Sequence, residues 1–158
     1  MAKNKHHKEE RTFVIIKPDG VQRGLSGEII SRIEKKGLKI VGIKMIRMDG
    51  DLAKLHYADH VEKPFFPTLM DFITSGPIIA LALEGPNCVQ ALRNLMGSTN
   101  PNEATPGSIR GDLGLSVGNN LIHGSDSDES AKRELGIFFN ENELFEYERS
   151  IDRWIIES

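Results

Sequence analysis

Apolar and polar residues follow one another along this chain with a period that changes several times, and each change marks an element. Thr12-Phe13-Val14-Ile15-Ile16 is a short β-branched and aromatic run stopped by the turn signal Pro18-Asp19-Gly20, which predicts a strand. From Leu25 to Lys36 the apolar positions Leu25, Ile29, Ile30 and Ile33 fall on one helical face, and Gly37 follows as a C-cap. Leu38 to Met48, long and imperfectly alternating, predicts a second strand. Asp51 opens a helix carrying Leu52, Leu55 and His56; Pro64 and Pro67 precede another, with Leu69, Phe72 and Ile73 inward and Gly76 at its end. Pro77 to Leu83 is almost unbroken in its apolar character, as expected of a strand covered on both faces. Asn87 is expected to cap a helix that buries Val89, Leu92 and Met96 and ends at Gly97.

The pattern then stops. Gly97 to Asn120 is rich in Gly, Ser, Thr, Asn and Pro, and so long an irregular segment inside a compact domain is usually functional or disordered. Leu121-Ile122-His123, directly after it, has an ordered character that favours function. A helix with Asp126, Asp128 and Glu129 in its first turn is expected to end at Leu135-Gly136. Ile137-Phe138-Phe139 reads as a short strand and Asn140 to Tyr147 as a last helix. Residues 1–9 read as a polar tail and 10–158 as one domain, with no internal repeat or linker. The order β-α-β-α-α-β-α-loop-α-β-α does not choose between a parallel α/β and a mixed α+β fold.

Length and charge narrow the functions available. A chain of 158 residues supports one core. The longest apolar run, Ile78 to Leu83, is too short to span a bilayer, the N-terminus lacks the apolar stretch of a signal peptide, and the lone Cys88 cannot form an internal disulfide. A cytoplasmic location is expected. The net charge of −3 gives no general attraction for nucleic acid, so any phosphate site must be assembled from a few placed cations. Neither Gly-x-x-x-x-Gly-Lys-Ser/Thr nor Gly-x-Gly-x-x-Gly is present, which removes the P-loop, Rossmann and protein-kinase devices.

His56 and His60 stand one helical turn apart, as a zinc pair does, but Tyr57 occupies the place where a zincin has Glu, and partly packed helix histidines are the plainer reading. His6 and His7 could catch a metal, though adjacent tail histidines are ordinarily solvated. His123, in Asn120-Leu121-Ile122-His123-Gly124-Ser125-Asp126-Ser127, would by default be structural. Three neighbours favour chemistry: Gly124 leaves room beside the ring, Ser125 offers a hydroxyl, and the long polar segment leads straight into it. A neutral imidazole is a good nucleophile once an acceptor fixes its other N–H; Glu134 could be that acceptor or a surface carboxylate. Phosphoryl transfer asks mainly for positive charge around the phosphate oxygens. Lys17, Arg93 and Arg110 are isolated cations near turns, each by itself an ordinary solvated charge.

Taken together and in order, these residues make the chain resemble the nucleoside diphosphate kinases from about Glu10 to Glu157. The landmarks are Arg11-Thr12-Phe13, Lys17-Pro18-Asp19-Gly20-Val21-Gln22-Arg23-Gly24, Pro64-Phe65-Phe66, Thr99-Asn100-Pro101, Pro106 to Asp112, and Asn120-x-x-His123-Gly124-Ser125-Asp126-Ser127. The resemblance implies a ferredoxin-like α+β domain, βαββαβ, with a four-stranded antiparallel sheet covered by helices. It implies a ping-pong transfer in which His123 takes the γ-phosphate of one nucleoside triphosphate on Nδ1 and passes it to a second diphosphate, with ATP, GTP, ADP and GDP among the substrates. Lys17, Arg93, Thr99 and Arg110 fall at the family's phosphate-binding positions, with Tyr57 and Asn120 close by. Lys17 and Asn120 also fall at its ribose contacts. Phe65 and Val117 would sandwich the base, Leu69 would line its pocket, and Ser125 and Glu134 would steady the histidine. Stacking reads no hydrogen-bond pattern, so little base preference is expected. Mg²⁺ would arrive on the nucleotide. Members assemble as hexamers or tetramers, and Pro101 matches a loop that meets other subunits in the hexamers, which favours a hexamer here. Asn119 departs from the arginine of many members. The rival class, a nucleotide- or nucleic-acid-binding regulator on the same fold, has neither a basic patch nor an RNA-type aromatic motif to support it.

Overall fold

The computed structural model describes residues 9–157. The tail expected over 1–9 therefore lies, apart from residue 9, outside the described residues, as does residue 158. Four strands form one antiparallel sheet: β1 (Arg11–Ile16), β2 (Lys39–Arg47), β3 (Pro77–Glu84) and β4 (Ile122–Gly124), in the order β2-β3-β1-β4. This is the expected ferredoxin-like arrangement. Helices α1 (Pro18–Gln22) and α2 (Ser26–Lys36) connect β1 to β2, and α5 (Cys88–Met96) connects β3 towards β4. Helices α3 (Gly50–His56) and α4 (Phe66–Ile73) sit between β2 and β3. After β3 come also α6 (Ile109–Leu113), α7 (Asp128–Phe138) and α8 (Asp152–Ile155).

Both faces of the sheet are covered, and the central strands show why their sequences hardly alternate. Val14 and Ile16 of β1, with Ile79, Leu81 and Leu83 of β3, pack beneath α2 and α5. Phe13 and Ile15, with Ile78, Ala80 and Ala82, pack beneath α3, α4 and α7. Burying one such large apolar side chain contributes about 1.5–3 kcal/mol, and the two layers pin β1 in register at the centre. Whatever leaves the end of β1 is thereby placed on a rigid base.

The C-terminal third departs from the sequence expectation. Ile137-Phe138-Phe139 is not a strand: α7 continues through Gly136 to Phe138, because Ala131, Leu135 and Phe138 keep facing the core at helical spacing and Gly136 points outward. The last strand lies earlier, at Ile122–Gly124, paired with Val14–Ile16. The helix expected over Asn140 to Tyr147 is a single 3₁₀ turn, Glu141–Glu143. The segment 97–120 is not wholly irregular, since α6 forms within it, capped by the Ser108 side chain accepting from the Gly111 N–H. Asn87 stands at the start of α5 with a left-handed φ of 50°, but its side chain makes no capping bond. Gly37 closes α2 as expected, with φ 101°.

Candidate active site

Strand β1 ends at Ile16, and the next residue, Lys17, has its N–H bonded to the carbonyl of Leu121 at 2.8 Å. That bond and the pairing of Ile15 with His123 set the ammonium and the imidazole side by side at one end of the sheet. Leu121, fully buried, takes a positive φ of 73°, costly for a branched residue, and its N–H is held by Asp19 at 3.0 Å. Gly124 has a different purpose from the one its sequence suggested. A Cβ there would come within 2.6 Å of Met96 Sδ and 2.9 Å of Leu92 Cδ2, so the glycine lets β4 lie against α5.

The cleft above these strands holds about 320 Å³ and is lined by Lys17, Tyr57, Arg93, Thr99, Arg110, Asn120, His123 and Glu134 among others. These eight were all singled out in the sequence. Glu134 is buried, not a surface carboxylate, and lies 3.1 Å and 3.2 Å from His123 Nε2 through its two oxygens. Ser125, buried beside it, donates its hydroxyl to the same carboxylate. Burial pulls the Glu134 pKa up, but the hydrogen bond and charge of His123 and the Ser125 hydroxyl bring it below its ordinary value. An ionised carboxylate only accepts, so Nε2 carries a proton, and in the neutral ring the lone pair then sits on Nδ1.

The cations are as closely constrained. Lys17 Nζ donates to Asn120 Oδ1 at 2.8 Å, and Asn120 in turn donates to the Thr99 carbonyl at 3.0 Å. Burial, with the charge of Arg110, lowers the Lys17 pKa to about 8 against the opposing effect of Asp19. Arg110 is buried on α6 and gives its guanidinium hydrogens to the carbonyls of Asn120, Gly97 and Ile122, at 3.2, 3.1 and 2.6 Å. Burial and the neighbouring Arg93 lower its pKa to about 10. Positive charge held close together and partly desolvated suits phosphate oxygens.

A family model described as nucleoside diphosphate kinase matches residues 10–144. The chain belongs to the nucleoside diphosphate kinase family. A nucleoside diphosphate kinase of Archaeoglobus fulgidus is 55% identical over 148 residues, covering 94% of this chain and 98% of that one. One from Staphylococcus aureus is 57% identical over 148 residues, covering 94% and 99%. Among solved structures, a halophilic nucleoside diphosphate kinase from Halobacterium salinarum in complex with CDP superposes with a TM-score of 0.92 at 51% identity, covering 94% of this chain and 99% of that one. A nucleoside diphosphate kinase family protein from Babesia bovis gives 0.90 at 46%, covering 93% and 99%.

Measured against the family positions, the structure does not gather every residue. Phe65, Leu69 and Val117 are not in the cleft wall; Phe65 and Val117 are exposed, and Leu69 is half-buried on α4. Phe65 does approach it, its ring 5.5 Å from that of His60, which lines the cleft. Sequence reasoning passed over Asp126 and Arg133, which also line the cleft; both flank residues it had chosen, Ser125 and Glu134. It also treated His56 and His60 as a pair on one helix, whereas α3 stops at His56 and His60 ends a separate 3₁₀ turn.

Proposed function

We propose that this nucleoside diphosphate kinase works through His123, which takes the terminal phosphate from a nucleoside triphosphate and hands it to a nucleoside diphosphate. The observation that carries this reading is the Glu134 contact to Nε2, which leaves Nδ1 as the free nucleophile in a cleft of cations. In the first half-reaction the Nδ1 lone pair attacks the γ-phosphorus. The bond from that phosphorus to the β-bridging oxygen breaks, and the diphosphate leaves with the electron pair. A terminal β-phosphate oxygen of a second diphosphate then attacks the phosphorus carried on Nδ1; the new P–O bond forms, the P–N bond breaks, and Nδ1 leaves with the electron pair as neutral imidazole. Glu134 and Ser125 hold the ring through both halves, while Lys17, Arg93 and Arg110 offset charge on the transferring oxygens. Tyr57, Thr99 and Asn120 position phosphate and ribose.

Phe65 and Val117, both exposed, take opposite faces of the base, with Leu69 beside them. This arrangement supports broad base specificity over ATP, GTP, ADP, GDP and related nucleotides. Mg²⁺ belongs to the substrate in this reading. It prefers an octahedron of oxygens, and with Lys17, Arg93, Arg110 and Arg133 crowding the cleft with positive charge the phosphates are its oxygen source. When bound on the phosphates it supplies charge neutralisation there. The enzyme is assigned to the cytoplasm and to a hexameric assembly. No described helix is long and apolar enough to cross a membrane.

The test is direct labelling. Incubation with γ-labelled ATP should leave acid-labile label on the wild type, and His123→Ala should lose both label and transfer. Turnover retained by His123→Ala would refute the assignment.

A further inference from the structure

Folding separates His60 from His56 and gives His56 a different partner. Its ring meets that of His123 edge-on, with centroids 4.8 Å apart and planes at 87°. Glu134 lies 3.1 Å from the same His123 ring. One donor atom from each of His56, His123 and Glu134 lies within 4.8 Å of the other two. Two imidazoles and a carboxylate are a ligand set for zinc-like ions, with a fourth position left for water or an anion.

His56 is the unexplained member of the three. It is 3% exposed, and neither ring nitrogen has a hydrogen-bond partner. Its neighbours are the rings of Phe13, Tyr57 and Phe138. A phenyl ring would fill such a place without stranding polar atoms. In a neutral imidazole one nitrogen has a lone pair, and here nothing in the fold receives it.

We propose that His56, His123 and Glu134 form an inhibitory site for a zinc-like divalent cation, which occupies the nucleophile and excludes the phosphoryl group. Ligation through His123 Nδ1 would take the attacking atom itself. Ligation through Nε2 would replace the Glu134 bond and move the ring proton to Nδ1. Both stop attack on phosphorus. Lys17, Arg93, Arg110 and Arg133 line the same cleft and oppose a dication, against Asp59, Asp126 and Glu134, so most of the affinity comes from direct ligation by Glu134 and the two nitrogens.

Zinc binding is measured by equilibrium dialysis of the full chain carrying His6→Ser and His7→Ser, which removes the N-terminal histidines as competing ligands. Co²⁺, in place of zinc, reports coordination through its visible spectrum. The expected result is one ion per chain with the spectrum of a four- or five-coordinate site. Loss of even an outer partner weakens metal sites by about 10–100-fold, so His56→Phe should lower affinity by at least that much. Zn²⁺ in the presence of excess Mg²⁺ should slow labelling of His123, with recovery on chelation. Enzyme already phosphorylated from ATP should bind no zinc. Equal zinc affinity in His56→Phe, or in the phosphorylated enzyme, would overturn the proposal. The phosphoenzyme comparison needs no folded variant. That comparison and the labelling assay rest on the transfer reading: zinc bound by the unlabelled chain and lost in His56→Phe would support the site even if His123 never accepted phosphate.

Discussion

Lys17 shows how a residue that looks ordinary in sequence acquires a particular chemistry. A lysine at the end of a strand is commonly solvated, and its own neighbours in the chain say little more. Burial, the facing Arg110 and the bond to Asn120 arise only when segments 103 residues apart meet. Its ammonium is therefore partly desolvated and pre-aimed, the condition in which a cation stabilises developing phosphate charge most. Lys17→Ala should lower turnover by about a hundredfold or more, read in a steady-state assay; a near-normal rate would make Lys17 a surface residue after all. The lowered pKa adds a signature. In the free enzyme Lys17 loses its charge as pH rises past about 8, so kcat/KM should fall on the alkaline side there, and that limb should be missing in Lys17→Ala. His123 and Ser125 were legible because they share one motif, and Glu134 because it lies 11 positions from His123 on the helix that follows. The partnership of His56 with His123 was not: 67 positions of chain separate them, and no periodicity relates a helix end to a strand it meets only in the fold.

At the scale of elements, the long periodic segments α2, α5, β2 and β3 could be read directly, because each presents several apolar residues to a face. β4 and α6 could not, with 3 and 5 residues respectively, too few to establish a period. Gly136 misled for a related reason: a glycine after a leucine resembles a helix stop, and only the continued burial of Phe138 shows otherwise. A cluster of charges at the other end of the sheet ties three strands together. Glu84 of β3 bonds Arg11 of β1 at 2.8 Å and Lys39 of β2 at 3.0 Å, and its register partners are those same two residues. Burial raises the Glu84 pKa, but the bonds and charges of Arg11 and Lys39 carry it below its ordinary 4.5. A carboxylate depressed in the folded state contributes stability above its unfolded pKa and loses it as pH falls through the folded value. Glu84→Gln should therefore cost about 1–2 kcal/mol at neutral pH, allowing for solvent screening of a partly exposed group. In denaturant titrations that difference should shrink as pH falls through the ordinary carboxylate range and vanish once Glu84 is protonated in the folded state as well. A gap that stayed constant with pH would show that the contribution is packing and not charge.

At the scale of the molecule, exposed apolar side chains away from Phe65, Leu115 and Val117 gather mainly at two places among the described residues. One is the outer strand β2, where Ile43 is 52% and Met45 60% exposed, beside a groove of about 380 Å³ between Ile40–Ile43 and Phe145–Tyr147. The other is the C-terminal segment, where Ile155 packs on Gly37 but Trp154 is 78% exposed, with the Arg153 guanidinium 5.3 Å over its ring. Pro101, the proline that the resemblance sets at a subunit contact, is itself buried, close to Gly114 in this chain, so it can support such a contact only by shaping the loop. The 145–147 segment covers the edge of β2 at Ile40 and Val41, and the stretch beyond it, bearing Ile43 and Met45, invites pairing with another copy. Two separate patches let each subunit contact more than one neighbour, which a closed assembly larger than a dimer requires. The hexamer proposed above predicts a light-scattering mass six times the chain's 17.6 kDa. A stable monomer or dimer would remove the hexamer. Met45→Lys places a charge in the exposed β2 patch, and in a self-complementary contact it would face its own copy. That variant should lower the measured mass while leaving His123 labelling intact, because β2 and the cleft lie on opposite sides of β1. Loss of label together with loss of mass would mean that the cleft is completed only by the assembly.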